Sequence, residues 1–132
     1  MTSSLLLVPT LLRQLPRSSK LAVLTADSSH CSEDLLGVDE TGELARVVIG
    51  GIEGGKLLEN EMKRPPIFTE TADIEADVRA RVSQLCAAHP DIGAILFECT
   101  AFPAVAPAIR GMTGLPVYDI ATLCKMTFAS VA

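Results

Sequence analysis

A chain of 132 residues has room for one domain, burying about two thirds of its unfolded surface, and no room for a second. Its net charge of −5 and pI near 4.9 exclude a nucleic-acid backbone as partner, since phosphate binding needs clustered Lys and Arg and only Lys63-Arg64 are adjacent. Apolar residues make up 48% of the chain and mean hydropathy is +0.37, so some apolar surface is expected to meet a partner.

The first element expected is a helix from Leu5 to about Leu15, capped by Ser3 or Ser4, with Leu5, Val8, Leu11, Leu12 and Leu15 at helical spacing and Pro9 in its first turn or at a bend. The apolar run at its start lacks the basic flank and cleavage site of a signal peptide, and Arg13 interrupts it before it could span a membrane. Lys20 to Thr25 reads as a buried central strand, followed by turn and capping residues Asp27-Ser28-Ser29. Arg46 to Ile49 reads as a second strand closed by Gly50-Gly51, and the Glu53-Gly54-Gly55 loop after it is free to approach a ligand or to serve as a plain turn.

Between Glu70 and Ala88 the residues Ile74, Val78, Val82, Leu85 and Cys86 share one face of an amphipathic helix that His89-Pro90-Asp91 stops. Ile92 to Phe97 is the third strand. A helix from Pro103 to about Arg110 ends at Gly111 and Gly114, and Leu115 to Tyr118 is a short fourth strand. Ile120, Leu123, Cys124, Thr127, Phe128 and Val131 form the apolar stripe of a last helix. Alternating strands and helices predict a single α/β domain over residues 1–132: a four-stranded parallel, doubly wound sheet in three layers, flavodoxin-like or Rossmann-like.

Such a sheet brings its strand carboxyl ends to one rim, where ligands bind. The loops expected there carry Thr25-Ala26-Asp27-Ser28, Gly50-Gly51, Glu98-Cys99-Thr100 and Asp119. Cys99 is the candidate catalytic residue. Thr100 is expected to cap the next helix, whose dipole and free N–H groups would favour a Cys99 thiolate able to act as general acid, base or nucleophile. The alternative is a cysteine that merely packs as a small apolar residue. Glu98 points either into the site, where it would raise the thiol pKa, or into a neighbouring loop. Asp27 and Asp119 are expected either to orient a polar substrate group or to act as helix caps.

His30 lies on the same rim as Cys99 and is a possible helper, whereas His89 belongs at the opposite edge. His30-Cys31 does not have the spacing of a zinc site, and no metal is expected. Cys31, Cys86, Cys99 and Cys124 form no CxxC pair and read as reduced thiols of a cytoplasmic protein.

Glu98-Cys99-Thr100 together with Gly114-Leu115-Pro116-Val117-Tyr118-Asp119 resembles the aspartate/glutamate/hydantoin racemase superfamily. Thr2-Ser3-Ser4-Leu5-Leu6, Val23-Leu24-Thr25-Ala26-Asp27 and His89-Pro90-Asp91-Ile92-Gly93-Ala94-Ile95 are similar, in order, to the second half of such a protein. The resemblance implies cofactor-independent proton transfer on a small carboxylate such as an amino acid, between two facing lobes that each supply a cysteine. Cys99 matches the second-lobe cysteine and Thr100 its carboxylate-holding neighbour, with Thr25, Asp27, Ser28, Glu98 and Asp119 around the substrate. The first-lobe cysteine would lie upstream of Met1 or on a partner, a second copy of the chain included. Cys31 is a weak substitute for it, and Glu98 departs from the small residue usual before the family's cysteine. Two alternatives stand beside racemisation. One is a non-catalytic carboxylate-binding or assembly module; the other is a lyase-type site in which one thiol handles a proton on one face only.

Overall fold

The apolar run Lys20–Thr25 forms strand β1, and Val47–Gly51, Ile92–Phe97 and Val117–Tyr118 form β2, β3 and β4 in a computed structural model that describes residues 3–39 and 41–132. All pair in parallel, in the order β2-β1-β3-β4. The two central strands are the ones with nearly unbroken apolar sequence, because helices cover both of their faces. Thr25 stands opposite Gly51, and Leu24 opposite Phe97, so the carboxyl ends of β1, β2 and β3 finish level with one another.

Ser3 opens the first helical segment, its hydroxyl accepting from the Leu5 N–H, and a 3-10 turn over Ser4–Leu7 leads into helix α1 (Val8–Gln14). Pro9 sits in the first turn of α1, where its missing N–H would have had no intrahelical acceptor. The remaining helices are α2 (Thr41–Leu44), α3 (Lys56–Glu61), α4 (Thr71–Ala88), α5 (Ala106–Thr113) and α6 (Ile120–Val131).

Alternation along the strands divides the core in two. Leu21, Val23, Ala94 and Leu96 face α1 and the 3-10 turn Glu33–Leu36, packing with Val8, Leu11, Leu12 and Leu36. Ala22, Leu24, Ile95 and Phe97 face the other way, onto Ile74, Val78, Val82 and Leu85 of α4 and Ile109 of α5. Truncating one such fully buried leucine to alanine costs about 2–5 kcal/mol, so these two layers fix the frame from which the rim loops project.

Helix α6 departs from expectation in its packing. Its apolar stripe exists, yet the helix buries no residue: Leu123 leans on the core, while Phe128 and Val131 are exposed. Among the described residues no helix is long and apolar enough to cross a membrane. Met1 and Thr2, the latter the first residue of one segment of the family resemblance, lie outside the described residues.

Candidate functional site

Cys99 stands at the carboxyl rim, two residues beyond the last residue of β3. The Glu98 N–H still donates to the Leu24 carbonyl at 2.8 Å, extending the sheet's bonding by one residue, and the chain then turns. Phe102 N–H closes the turn on the Cys99 carbonyl at 3.2 Å, and Ala101 N–H donates to Cys99 Sγ at 3.5 Å. The sulfur therefore holds the turn in the way a capping side chain does.

Thr100 is not the helix cap that the sequence led one to expect. Helical backbone begins at Pro103 with a 3-10 turn, Pro103–Val105, before α5, because proline favours the first helical position; the cap falls at Phe102, two residues downstream of Thr100. Thr100 stays exposed within the turn. With the helix start displaced, its dipole is not delivered at the sulfur.

Cys99 is half-buried, packed against the core layer that holds Phe97 and Phe102, whose rings meet edge to face at 5.3 Å. Burial is the largest influence on the thiol and pushes its pKa up; the Ala101 N–H opposes this, while the Glu98 and Glu61 carboxylates raise it further. Burial and both carboxylates therefore work against the thiolate that a helix start at Thr100 would have favoured.

Glu98 leaves the strand end on the other side, as the two-residue period of a strand requires. Its carboxylate lines a groove of about 510 Å³ formed by Ser3, Leu5, Leu6, Pro9, Leu35, Leu36 and Gly37. The buried Thr25 hydroxyl donates to Glu98 Oε2 at 2.8 Å, so β1 and β3 jointly hold this carboxylate. Ser4, also buried, donates to the Phe97 carbonyl at 2.7 Å and pins the groove's amino-terminal wall to the end of β3.

The other expected residues are occupied locally. Asp27 caps the 3-10 turn Ser28–His30, accepting from Ser29 N–H and hydroxyl and pairing with His30 Nδ1 at 2.8 Å; the Ser29 and His30 contacts hold its carboxyl below the usual range. Both Ser28 groups, N–H and hydroxyl, donate to Glu53, which joins the loops after β1 and β2. Burial opposes ionisation of Glu53, yet the Ser28 donors prevail and lower its pKa. Asp119 is buried and caps α6: its Oδ1 accepts from Thr122 N–H at 2.9 Å, and Thr122 Oγ1 returns a bond to the Asp119 N–H. The rim therefore unites Thr25, Glu98, Cys99 and Thr100, links Ser28 to Glu53 beside them, and leaves Asp119 as a cap.

His30 is highly exposed and bound to Asp27, so it does not serve as a partner of Cys99. Cys31 is buried in the layer on the α1 side, whereas Cys99 packs on the α4 and α5 side. His89 lies at the amino edge, near Lys20, in a separate hollow with Cys86 and Met112. Among the described residues no group of three or more His, Cys, Asp and Glu is arranged to hold a metal. Sequence reading missed Glu53 as the partner of Ser28, since 25 residues separate them, and Ser4, whose burial only the fold reveals.

Comparison with known proteins finds similarity in sequence to proteins named as lyases. The chain is 34% identical over 123 residues to a dimethylsulfoniopropionate lyase from Durusdinium sp. clade D, an alignment covering 89% of this chain and 40% of that protein. It is 29% identical over 141 aligned positions to dimethylsulfoniopropionate lyase 5 of Emiliania huxleyi (strain CCMP1516), covering 97% of this chain and 28% of that one. A 40-residue stretch is 50% identical to dimethylsulfoniopropionate lyase 6 of the same strain. The chain spans 40% or less of the length of these relatives. No family model matches, and no solved structure matches significantly. These names overturn the racemase resemblance and the isomerase activity expected from it: the relatives are named lyases and point to a different family.

Proposed function

We propose that this chain carries a one-cysteine lyase site, centred on Cys99, that eliminates dimethyl sulfide from dimethylsulfoniopropionate. The observation that carries the reading is the likeness of nearly the whole chain to lyases of that name, combined with a thiol standing at the rim where an α/β sheet binds its ligands.

The chemistry needs one base. The Cys99 thiolate takes a proton from the carbon next to the substrate carboxylate. The C–H electron pair becomes the carbon–carbon double bond, and the carbon–sulfur bond breaks with its pair to sulfur. Dimethyl sulfide and acrylate leave, and the thiol returns its proton to solvent. Nothing has to be delivered to the opposite face, so the reaction needs no second thiol there.

A raised pKa suits this task, and the bound substrate eases formation of the thiolate. A thiolate formed from a weakly acidic thiol is a stronger base, and a carbon-bound proton next to a carboxylate is hard to remove. The sulfonium cation, once bound, also offsets the burial and the Glu98 and Glu61 charges that disfavour the thiolate. Thr100 supplies a hydroxyl for the substrate carboxylate, and the N–H groups of Cys99 and Thr100 have no acceptor among the described residues.

Headspace gas chromatography of dimethyl sulfide over the purified chain with dimethylsulfoniopropionate is the test. Release that falls at least about 100-fold in Cys99→Ala is expected, the usual scale for a general base. Absence of release, together with alkylation of Cys99 that neither the substrate nor acrylate slows, would overturn the proposal.

A further inference from the structure

The groove beside Glu98 is built for a particular kind of group. Its walls are hydrocarbon: Leu5 and Leu36 are buried, and Leu6 and Leu35 are exposed along its mouth at 64% and 51%. Exposed leucines on two separate segments flanking one opening leave apolar surface that a ligand would cover. Glu98 is the one charged side chain in the lining, and among the described residues it has no Lys, Arg or His within ion-pair distance. Thr25 engages Oε2, and Oε1 accepts no hydrogen bond among the described residues.

A half-buried carboxylate without a counter-ion, set in an apolar wall, favours a cation. The walls decide which cation. A primary ammonium carries three N–H donors that need acceptors, and beside one free carboxylate oxygen the side chains lining this groove offer, among the described residues, only the Ser3 hydroxyl, which already accepts from the Leu5 N–H. A methylated onium ion carries its charge without donors and presents methyl groups that leucine side chains can cover. We infer that the Glu98 groove is a binding site for methylated onium groups, sulfonium or quaternary ammonium, and that Glu98 selects them over primary amines.

The inference deepens the lyase reading and rests on it for the natural ligand. Thr25 is then a positioning residue that fixes the carboxylate's direction.

The probe is trimethylsulfonium, which has no carboxylate and no proton to eliminate, so binding is read apart from turnover. Titration into the chain with 13C-labelled leucine methyls is expected to give saturable shifts at Leu5, Leu6, Leu35 and Leu36, with methylammonium at least ten times weaker. Glu98→Gln keeps an acceptor for the Thr25 hydroxyl and should weaken trimethylsulfonium binding at least tenfold, while Asp34→Asn, an exposed carboxylate outside the groove lining, should leave it unchanged. No saturable shift, shifts confined to other leucines, equal binding of methylammonium, or an unaffected Glu98→Gln variant would each overturn the onium site. Failure of dimethyl sulfide release with these shifts intact would instead count against the lyase reading alone.

Discussion

Asp119 offers the sharpest separation of a structural role from a functional one, because its charge and its capping geometry can be changed independently. Helix α6 buries no residue, so its attachment depends on the turn at its start, on Leu123 and on the reciprocal bonds between Asp119 and Thr122. Replacing an N-cap aspartate by alanine costs about 0.5–2 kcal/mol, and a buried cap belongs to the upper half of that range. At about 2.1 cal/mol/K per residue, unfolding 132 residues carries an entropy near 0.28 kcal/mol/K, so a loss of about 1–2 kcal/mol lowers Tm by about 4–7 °C. Asp119→Asn keeps a carbonyl oxygen for the Thr122 N–H and removes the charge; it should restore most of that loss. Differential scanning calorimetry measures the stability of both variants, and dimethyl sulfide release measures activity. The reasoning fails if Asp119→Asn retains wild-type Tm yet loses activity by tenfold or more, for the carboxylate would then act on substrate and the cap would be incidental.

The thiols give a pH signature. Cys99, Cys31 and Cys86 all have pKa values raised in the folded state, by burial first, so the folded chain holds these protons more tightly than the unfolded one. The stability they contribute is complete below the unfolded thiol pKa and is lost as pH rises from there through the folded values; Tm should fall from about pH 8 to 10, and less steeply in Cys31→Ala than in wild type. Arg46 donates to the carbonyls of Leu12, Pro16 and Ser19 at 3.0–3.1 Å, tying the end of α1 to the start of β2; Arg46→Ala should cost about 1.5–3 kcal/mol by urea denaturation, and a loss under about 0.5 would show the bonds to be solvent-compensated. A Cβ at Gly51 would collide with the Glu53 carboxylate and approach the Ser28 N–H at 2.7 Å. Gly51→Ala should therefore break the Glu53–Ser28 link and raise the Glu53 pKa in a carboxyl NMR titration; an unchanged titration would mean that the loop moves aside.

The elements that were readable in sequence are those whose burial is uniform. Lys20–Thr25 and Ile92–Phe97 are continuous apolar runs flanked by polar or turn residues, and both strands begin and end where that pattern does. Helix α4 likewise spans the amphipathic stretch because Ile74, Val78, Val82 and Leu85 recur on one face. Helix α3, six residues long, shows too little periodicity to be seen. The Thr100 cap misled for a similar reason: threonine and proline both signal a helix start, and only the turn geometry, with Cys99 Sγ bound to Ala101 N–H, shows that the proline governs. The racemase likeness misled at a different level, since a strand-end cysteine on this fold positions a thiol for proton transfer without specifying which bond breaks afterwards.

At the end of β3 two neighbouring residues divide the work of such a site by the simplest property of a strand. Alternation sends Glu98 into the leucine groove and Cys99 toward the α4 and α5 layer, so a carboxylate and a thiol stand side by side without hydrogen-bonding to each other. Burial does most to disfavour the thiolate, and the neighbouring Glu98 carboxylate adds to it. A cation seated on Glu98 offsets the carboxylate's share of that effect. In the proposed reaction the substrate's own charge therefore favours the base that attacks it, and departure of neutral dimethyl sulfide removes that charge and with it the bias toward the thiolate. If the coupling is right, trimethylsulfonium should raise the rate of Cys99 alkylation by iodoacetamide at pH 7.5 in wild type and leave it unchanged in Glu98→Gln, read by mass spectrometry of the labelled peptide. Slower alkylation in both would mean that the cation merely blocks the rim.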